Sequence, residues 1–259
     1  MIRDSLKHHV IGMNPDFRHR GEEPGRLENF SDAVFALAIT LLLISTSPPT
    51  NFEQIKRFVW EVIPFGLCIL FIILIWHEHI TFFYRYGLRN TKVIVLNSIF
   101  LVIVLFYVYP LKFLTKLILL PLAMLFDQEA LQQEMIGMIR GENMSDLMII
   151  YGLGAFSVFC TLALMYNYAL KNADALQLND VERFDTKTKI TSNKLMALVP
   201  LLSVLVAIIL HGNWIGGMLS GFTYFLYTPV MFAFGRRNQK ARIALLQSLQ
   251  EAKQELQQA

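Results

Sequence analysis

The chain alternates between long apolar blocks and short polar intervals. Blocks at about 28–47, 58–80, 93–111, 146–169, 194–211 and 214–235 each approach the roughly 20 predominantly apolar residues that a membrane-spanning helix requires. A further stretch, 113–126, contains Lys116 and Pro121 and is short for a span. It reads as a re-entrant or interfacial segment, or as an extension of the third helix beyond Pro110. Only His211, Gly212 and Asn213 separate the last two blocks, which predicts a tight helical hairpin. The pattern predicts an all-α, polytopic membrane protein with six transmembrane helices per subunit. Three units follow: a polar arm over 1–25, a helical membrane domain over 26–235, and a C-terminal helix over 236–259.

Charge gives the blocks an orientation. With the amino terminus inside, Arg3, Lys7, Arg18, Arg20 and Arg26 precede the first span, and three more basic residues lie in 81–92. Five lie in 170–194 and five in the tail, so eighteen of the 23 Lys and Arg residues fall on one side. Lys56, Arg57, Lys112, Lys116 and Arg140 fall on the other. Cytoplasmic loops carry the excess of Lys and Arg. The expectation is therefore a multi-pass protein of the cell (inner) membrane with both termini cytoplasmic. The first 25 residues contain no apolar run resembling a signal-peptide core, and Pro15, Pro24 and Gly25 interrupt any continuous helix there.

Composition narrows the function classes. Hydrophobic residues make up 54% of the chain and charged residues 17%, against about 25% charged in ordinary soluble domains. A net charge of +3 is too small to imply nucleic acid. Cys68 and Cys160 lie inside apolar blocks with no CxxC spacing, and read as small buried or lipid-facing residues. No HExxH, GxSxG or phosphate-cradling glycine loop is present, so no enzyme chemistry or cofactor is expected. A metal site needs three or four converging ligands, and His77-x-His79 on one helix converges poorly. In the tail, Leu245, Leu249, Ala252, Leu256 and Ala259 alternate steps of four and three. That seam suits either a short bundle joining subunits or an amphipathic helix on the membrane surface.

The first block opens with Arg26-Leu27-Glu28-Asn29-Phe30-Ser31-Asp32. Ionisable groups at the edge of a span are costly and tend to be paired and functional. Arg26 and Asp32 are six apart and do not share a helix face, so each is expected to find a partner on another helix. The plainer reading is a helix start, with Asp32 in the first turn favoured by the helix dipole and Ser31 or Asn29 as cap.

The string Arg-x-x-x-Phe-Ser-Asp, present as Arg26, Phe30, Ser31 and Asp32, resembles the signature of the transmembrane protein 175 family of potassium channels. The following Ala-Val-Phe-Ala-x-Ala-Ile-Thr-Leu-Leu is similar to its bacterial members. So are Trp76-His77-Glu78-His79, Phe82 to Leu88, and Tyr109-Pro110-Leu111-Lys112-Phe113. The resemblance implies one six-helix repeat per chain, assembly as a homotetramer, potassium ions as the permeant partner, and a pore lined by the first helix without a carbonyl filter. It places the constrictions at Leu37, Thr40 and Ile44. Those positions are also spaced i, i+3 and i+7, hence on one helix face, with Leu41 brought inward by a small rotation. Narrow apolar rings impede hydrated ions and close by dewetting. A threonine ring replaces part of a hydration shell, and potassium gives up its shell more readily than sodium, which implies moderate selectivity.

Trp76, His77 and His79 near the end of the second helix lie at the membrane depth of Arg26, Ser31 and Asp32. Hydrogen bonds between these clusters are expected to brace the pore helix, with at most one of the two histidines taking part because they point to different faces. Either histidine could instead be a solvated helix-end group, or make gating proton-sensitive. Asn97 on the third helix is a further internal hydrogen-bonding candidate, or a simple interhelical packing contact. A secondary transporter of a small ion or solute is the competing reading, since Pro64 and Gly66 interrupt the second block and Pro200 the fifth. No two halves match as transporter repeats usually do.

Overall fold

A computed structural model of the chain describes residues 17–44, 50–119, 143–212 and 214–258. Among them there is no strand. The elements are α1 (Arg26–Ile44), α2 (Phe52–Tyr86), α3 (Thr91–Ile118), α4 (Met144–Lys171), α5 (Asp180–Ile209), α6 (Trp214–Phe222) and α7 (Tyr227–Gln258), with a 3-10 turn at Thr223–Leu226 between the last two.

Local chemistry fixes the helix ends. The Asn51 side chain accepts from the Gln54 N–H at 2.9 Å and that of Asn90 from the Val93 N–H at 3.1 Å. Both thereby satisfy an orphan donor of the first turn. Asn179 and Glu182 form a reciprocal capping box at the start of α5. Gly87 ends α2 in the left-handed region at φ 57°, where a Cβ would also lie 2.5 Å from the Arg20 carbonyl oxygen.

Among the described residues, four helices contain segments long and apolar enough to cross a membrane: Glu61–Tyr86, Thr91–Leu117, Met144–Lys171 and Asp180–Ile209. Their outward faces carry large exposed apolar side chains, among them Phe106 and Ile209. That suits a lipid surround. Two of the six expected spans differ from this group. α1 carries Arg26, Glu28 and Asp32 in its first two turns. The sixth block is not one helix, because α6 has only nine residues and gives way to the 3-10 turn. Pro229 has no N–H for the Phe225 carbonyl, while the Ser220 and Thr223 hydroxyls bond back to the Gly217 and Ser220 carbonyls. Both effects loosen the α-helical ladder there. α7 then runs unbroken across position 235 into the tail.

The segment after Pro110 continues α3 as far as Ile118; its remainder lies outside the described residues. Arg140, residues 1–16 and Ala259 also lie outside them.

Apolar packing divides into two main layers. Phe35, Ala38 and Leu42 of α1 pack with Cys68, Ile72, Phe100 and Val104 in one cluster. Phe17, Phe82, Tyr86, Met165 and Tyr166 form another, nearer the ends of α2 and α4. α4 and α5 approach closely at Gly152, where a Cβ would fall 2.4 Å from a Val204 methyl and 2.9 Å from the Pro200 carbonyl oxygen. Small residues allow such backbone approach between helices in lipid.

The start of α1, the end of α2, the start of α3, the end of α4 and the start of α5 gather at one end. The contacts that tie them are Arg89 to Glu28 at 2.9 Å, Arg20 to Glu182 at 2.7 Å and Lys189 to Glu78 at 2.6 Å. Arg242 of α7 reaches the same end, 3.0 Å from Asp185. Lys116–Glu61 (3.0 Å) and His211–Asp146 (2.8 Å) lie at the opposite end. The bundle is thus polar at both ends, with the denser basic cluster at the end where α1 begins.

Candidate functional site

α1 starts at Arg26, so Ser31 and Asp32 sit in its second turn rather than at its cap. The helix-start reading of these two residues therefore falls away: Glu28 is the first-turn acid, and its Oε2 accepts from the Gly25 N–H at 3.1 Å. Asp32 Oδ1 instead accepts from Trp76 Nε1 of α2 at 2.8 Å.

Beside it a buried chain of polar groups runs through three helices. The Ser31 hydroxyl donates to the Leu27 carbonyl at 2.9 Å. Its oxygen accepts from Asn97 Nδ2 of α3 at 2.9 Å. Asn97 Oδ1 lies 2.7 Å from His79 Nε2 of α2. An amide oxygen only accepts, so this contact requires the proton on Nε2. Ser31, His79 and Asn97 are all at most 1% exposed, and His79 stacks on Phe100 with centroids 5.5 Å apart. The remaining His79 nitrogen, Nδ1, has no partner among the described residues. A bare acceptor nitrogen is the milder of the two possible orphans.

His77 is half-buried on a different face of α2, and its carbonyl accepts from the Thr81 hydroxyl. Glu78 pairs with Lys189 of α5. Arg26 is exposed and has no hydrogen bond or ion pair among the described residues, contrary to the expectation of a partner on another helix. Phe30 is 62% exposed.

α1 is two-sided. Glu28, Ser31, Phe35, Ala38 and Leu42 are buried against the bundle, whereas Arg26, Phe30, Ala33, Leu37 and Thr40 form a stripe, at steps of four and three, that is exposed among the described residues. Leu37 is 50% exposed. The Thr40 hydroxyl donates to the Ala36 carbonyl at 2.9 Å. Its hydrogen is thereby held against the helix, and its lone pairs face outward. Leu41 is half-buried at the stripe's edge. Ile44 ends the helix, and its side chain lies outside the described residues.

Sequence reasoning missed Lys112. From α3 its ammonium donates to the Leu42 carbonyl at 3.0 Å, in the last turn of α1. A cation there satisfies an orphan carbonyl and complements the helix dipole. The signal was a lysine closely following a proline inside an apolar helix. Among the described residues no group of three or more His, Cys, Asp or Glu could hold a metal ion.

Residues 26–107 match the family model described as "Endosomal/lysosomal potassium channel TMEM175". The chain is 46% identical to a protein named "Potassium channel" from Marivirga tractuosa, over 92% of this chain and 97% of that one. It also resembles the crystal structure of a threonine-to-alanine variant of the potassium channel MtTMEM175, solved with a nanobody–MBP fusion. That match has 44% identity and a TM-score of 0.78, covering 89% of this chain and all of the other.

Proposed function

The chain belongs to the TMEM175 family of potassium channels, and on that premise we propose that it forms a potassium-selective pore lined by α1 of four copies. The observation that carries the reading is the two-sidedness of α1. One face is bonded and packed into the bundle, while the face bearing Leu37 and Thr40 is exposed and has no partner on another helix among the described residues. A single copy cannot enclose a pathway with one such stripe; four copies around an axis can.

In that arrangement Leu37 supplies an apolar ring that cannot replace an ion's hydration shell and that closes by dewetting. Ile44 supplies a second. Between them a ring of Thr40 oxygens offers lone pairs to a partly dehydrated cation, because each hydroxyl hydrogen is committed to Ala36. The cost of partial dehydration is lower for potassium than for sodium, so selectivity is moderate.

Ser31, Asp32, Trp76, His79 and Asn97 brace the helix from behind and set its rotation. Arg26 and Phe30 lie on the open stripe, where the neighbouring copy is their partner. Both termini are cytoplasmic, since the basic end of the bundle holds residues 17–25 and Arg242 of α7; 26–235 is the channel domain, with α1 and the α6–α7 run completing six spans. Reconstituted protein under a potassium gradient tests the reading. Leu37→Ala should raise flux and Thr40→Ala should lower potassium over sodium preference. Unchanged flux and preference in both variants would remove α1 from the pathway.

A further inference from the structure

Residues 17–25 form a strap across the basic end of the bundle, pinned at three places. Phe17 is 2% exposed, edge-on to Tyr86 at 5.7 Å and beneath the Arg85 guanidinium at 4.8 Å. The Arg20 and Gly21 N–H groups both donate to the Tyr84 carbonyl, at 3.2 and 3.1 Å. They satisfy one of the last carbonyls of α2.

The third point is the strongest. Arg20 donates to both oxygens of Glu182, through Nη1 at 3.0 Å and Nη2 at 2.7 Å. It also reaches the carbonyls of Leu176 (2.8 Å), Gln177 (3.1 Å) and Arg18 (2.8 Å). Glu182, 1% exposed, further accepts from the Arg18 N–H at 2.8 Å and the Asn179 N–H at 3.0 Å. A bidentate guanidinium–carboxylate pair with its other donors and acceptors satisfied is the geometry in which a buried ion pair holds firmly.

Only Gly21 to Gly25 separate this pair from the first residue of α1, and that link is itself clamped. Arg89 donates to Glu28 at 2.9 Å and to the Glu23 carbonyl at 2.5 Å. The strap therefore leaves the near end of α1 little slack. Rotation is the motion that matters, since positions 37 and 41 differ by about 40° around an α-helix.

We propose that the Arg20–Glu182 pair is a latch that fixes the end of α1 to α2 and α5, and that its release frees α1 to rotate and alters conduction. Arg20 is a positioning residue. The conduction half rests on α1 as the pore helix; the mechanical half does not.

The test uses full-length protein in liposomes with Cys68 and Cys160 replaced and a reporter cysteine at Leu27, which is half-buried in the first turn of α1 against the cluster that holds Phe17. Thiol modification rate and potassium flux are measured with Arg20 intact, in Arg20→Lys and in Arg20→Gln. Losing the fork should raise the modification rate more than about tenfold in Arg20→Gln, with Arg20→Lys between. Flux should change in the same order while the potassium-to-sodium ratio stays that of the parent. Parent-like rates in Arg20→Gln would overturn the latch. If that variant fails to fold, Arg20→Lys carries the test, and a parent-like rate overturns it equally. A raised rate with flux indifferent to both Arg20→Gln and Leu37→Ala would leave the latch standing and remove the pore assignment.

Discussion

Replacing Asn97 with leucine, close in volume, removes both polar contacts it makes without opening a large cavity. Ser31 loses a donor at 2.9 Å but keeps its own bond to the Leu27 carbonyl. His79 fares worse: its Nε2 proton loses the Asn97 oxygen at 2.7 Å, and Nδ1 is already without a partner. A buried donor stranded in this way costs about 1–3 kcal/mol. Interhelical hydrogen bonds in membrane proteins average nearer 0.6 kcal/mol, because the unfolded state in lipid also finds partners. A total of about 2 kcal/mol follows, most of it from His79. For a chain of this size, that corresponds to a fall of roughly 4–8 °C in thermal midpoint.

Thermal unfolding of purified protein in detergent, followed by near-UV circular dichroism, reads this directly. The network also predicts non-additivity. Once Asn97→Leu is present, Ser31→Ala should cost less than it does alone, because the contact between the two residues is already gone. A parent-like midpoint, or strictly additive losses, would refute the reasoning. The Ser31–Asn97–His79 chain would then add nothing to the hold on α1, leaving its apolar face and the Trp76–Asp32, Arg89–Glu28 and Lys112–Leu42 contacts.

Other expectations follow from neighbouring contacts. Trp76→Phe keeps the ring's apolar body but removes the 2.8 Å bond to Asp32. It should destabilise by about 1–2 kcal/mol, since a charged acceptor is left without that donor; the same thermal assay measures it. Gly87→Ala places a Cβ at φ 57°, 2.5 Å from the Arg20 carbonyl oxygen. The strain should cost upward of about 1 kcal/mol. It should also expose the strap at 17–25 to limited proteolysis, with cleavage faster there than in the parent.

The apolar blocks located the cores of α2 to α5 but not their true lengths. α2 extends back to Phe52 and α5 back to Asp180, well outside the blocks at 58–80 and 194–211. Hydropathy reports only the part of a helix that lipid must cover. The polar remainder is held by caps such as Asn51 and Asn179 and by ion pairs such as Lys189–Glu78. The sixth block has the composition of a span but is not one continuous helix, because Pro229 and the hydroxyls of Ser220 and Thr223 break the ladder within it.

Within the site, residue types were legible and partnerships were not. Ser31, Asp32, Trp76, His79 and Asn97 stood out as polar groups inside apolar blocks. Which histidine meets Asn97 depends on helix rotation, and a sequence does not encode that locally. Arg20 gave no signal of its own, because its acceptors are main-chain carbonyls and a glutamate far along the chain.

The most direct measurement is the reversal potential of reconstituted channels with potassium on one side and sodium on the other. Parent protein should reverse nearer the potassium potential, and Thr40→Ala should move the reversal toward zero. Thr40→Ala should leave the stability within about 0.5 kcal/mol of the parent's, since Thr40 is exposed and bonds only its own helix. A selective current with a reversal potential unmoved by Thr40→Ala would contradict the central claim that α1 carries the ion.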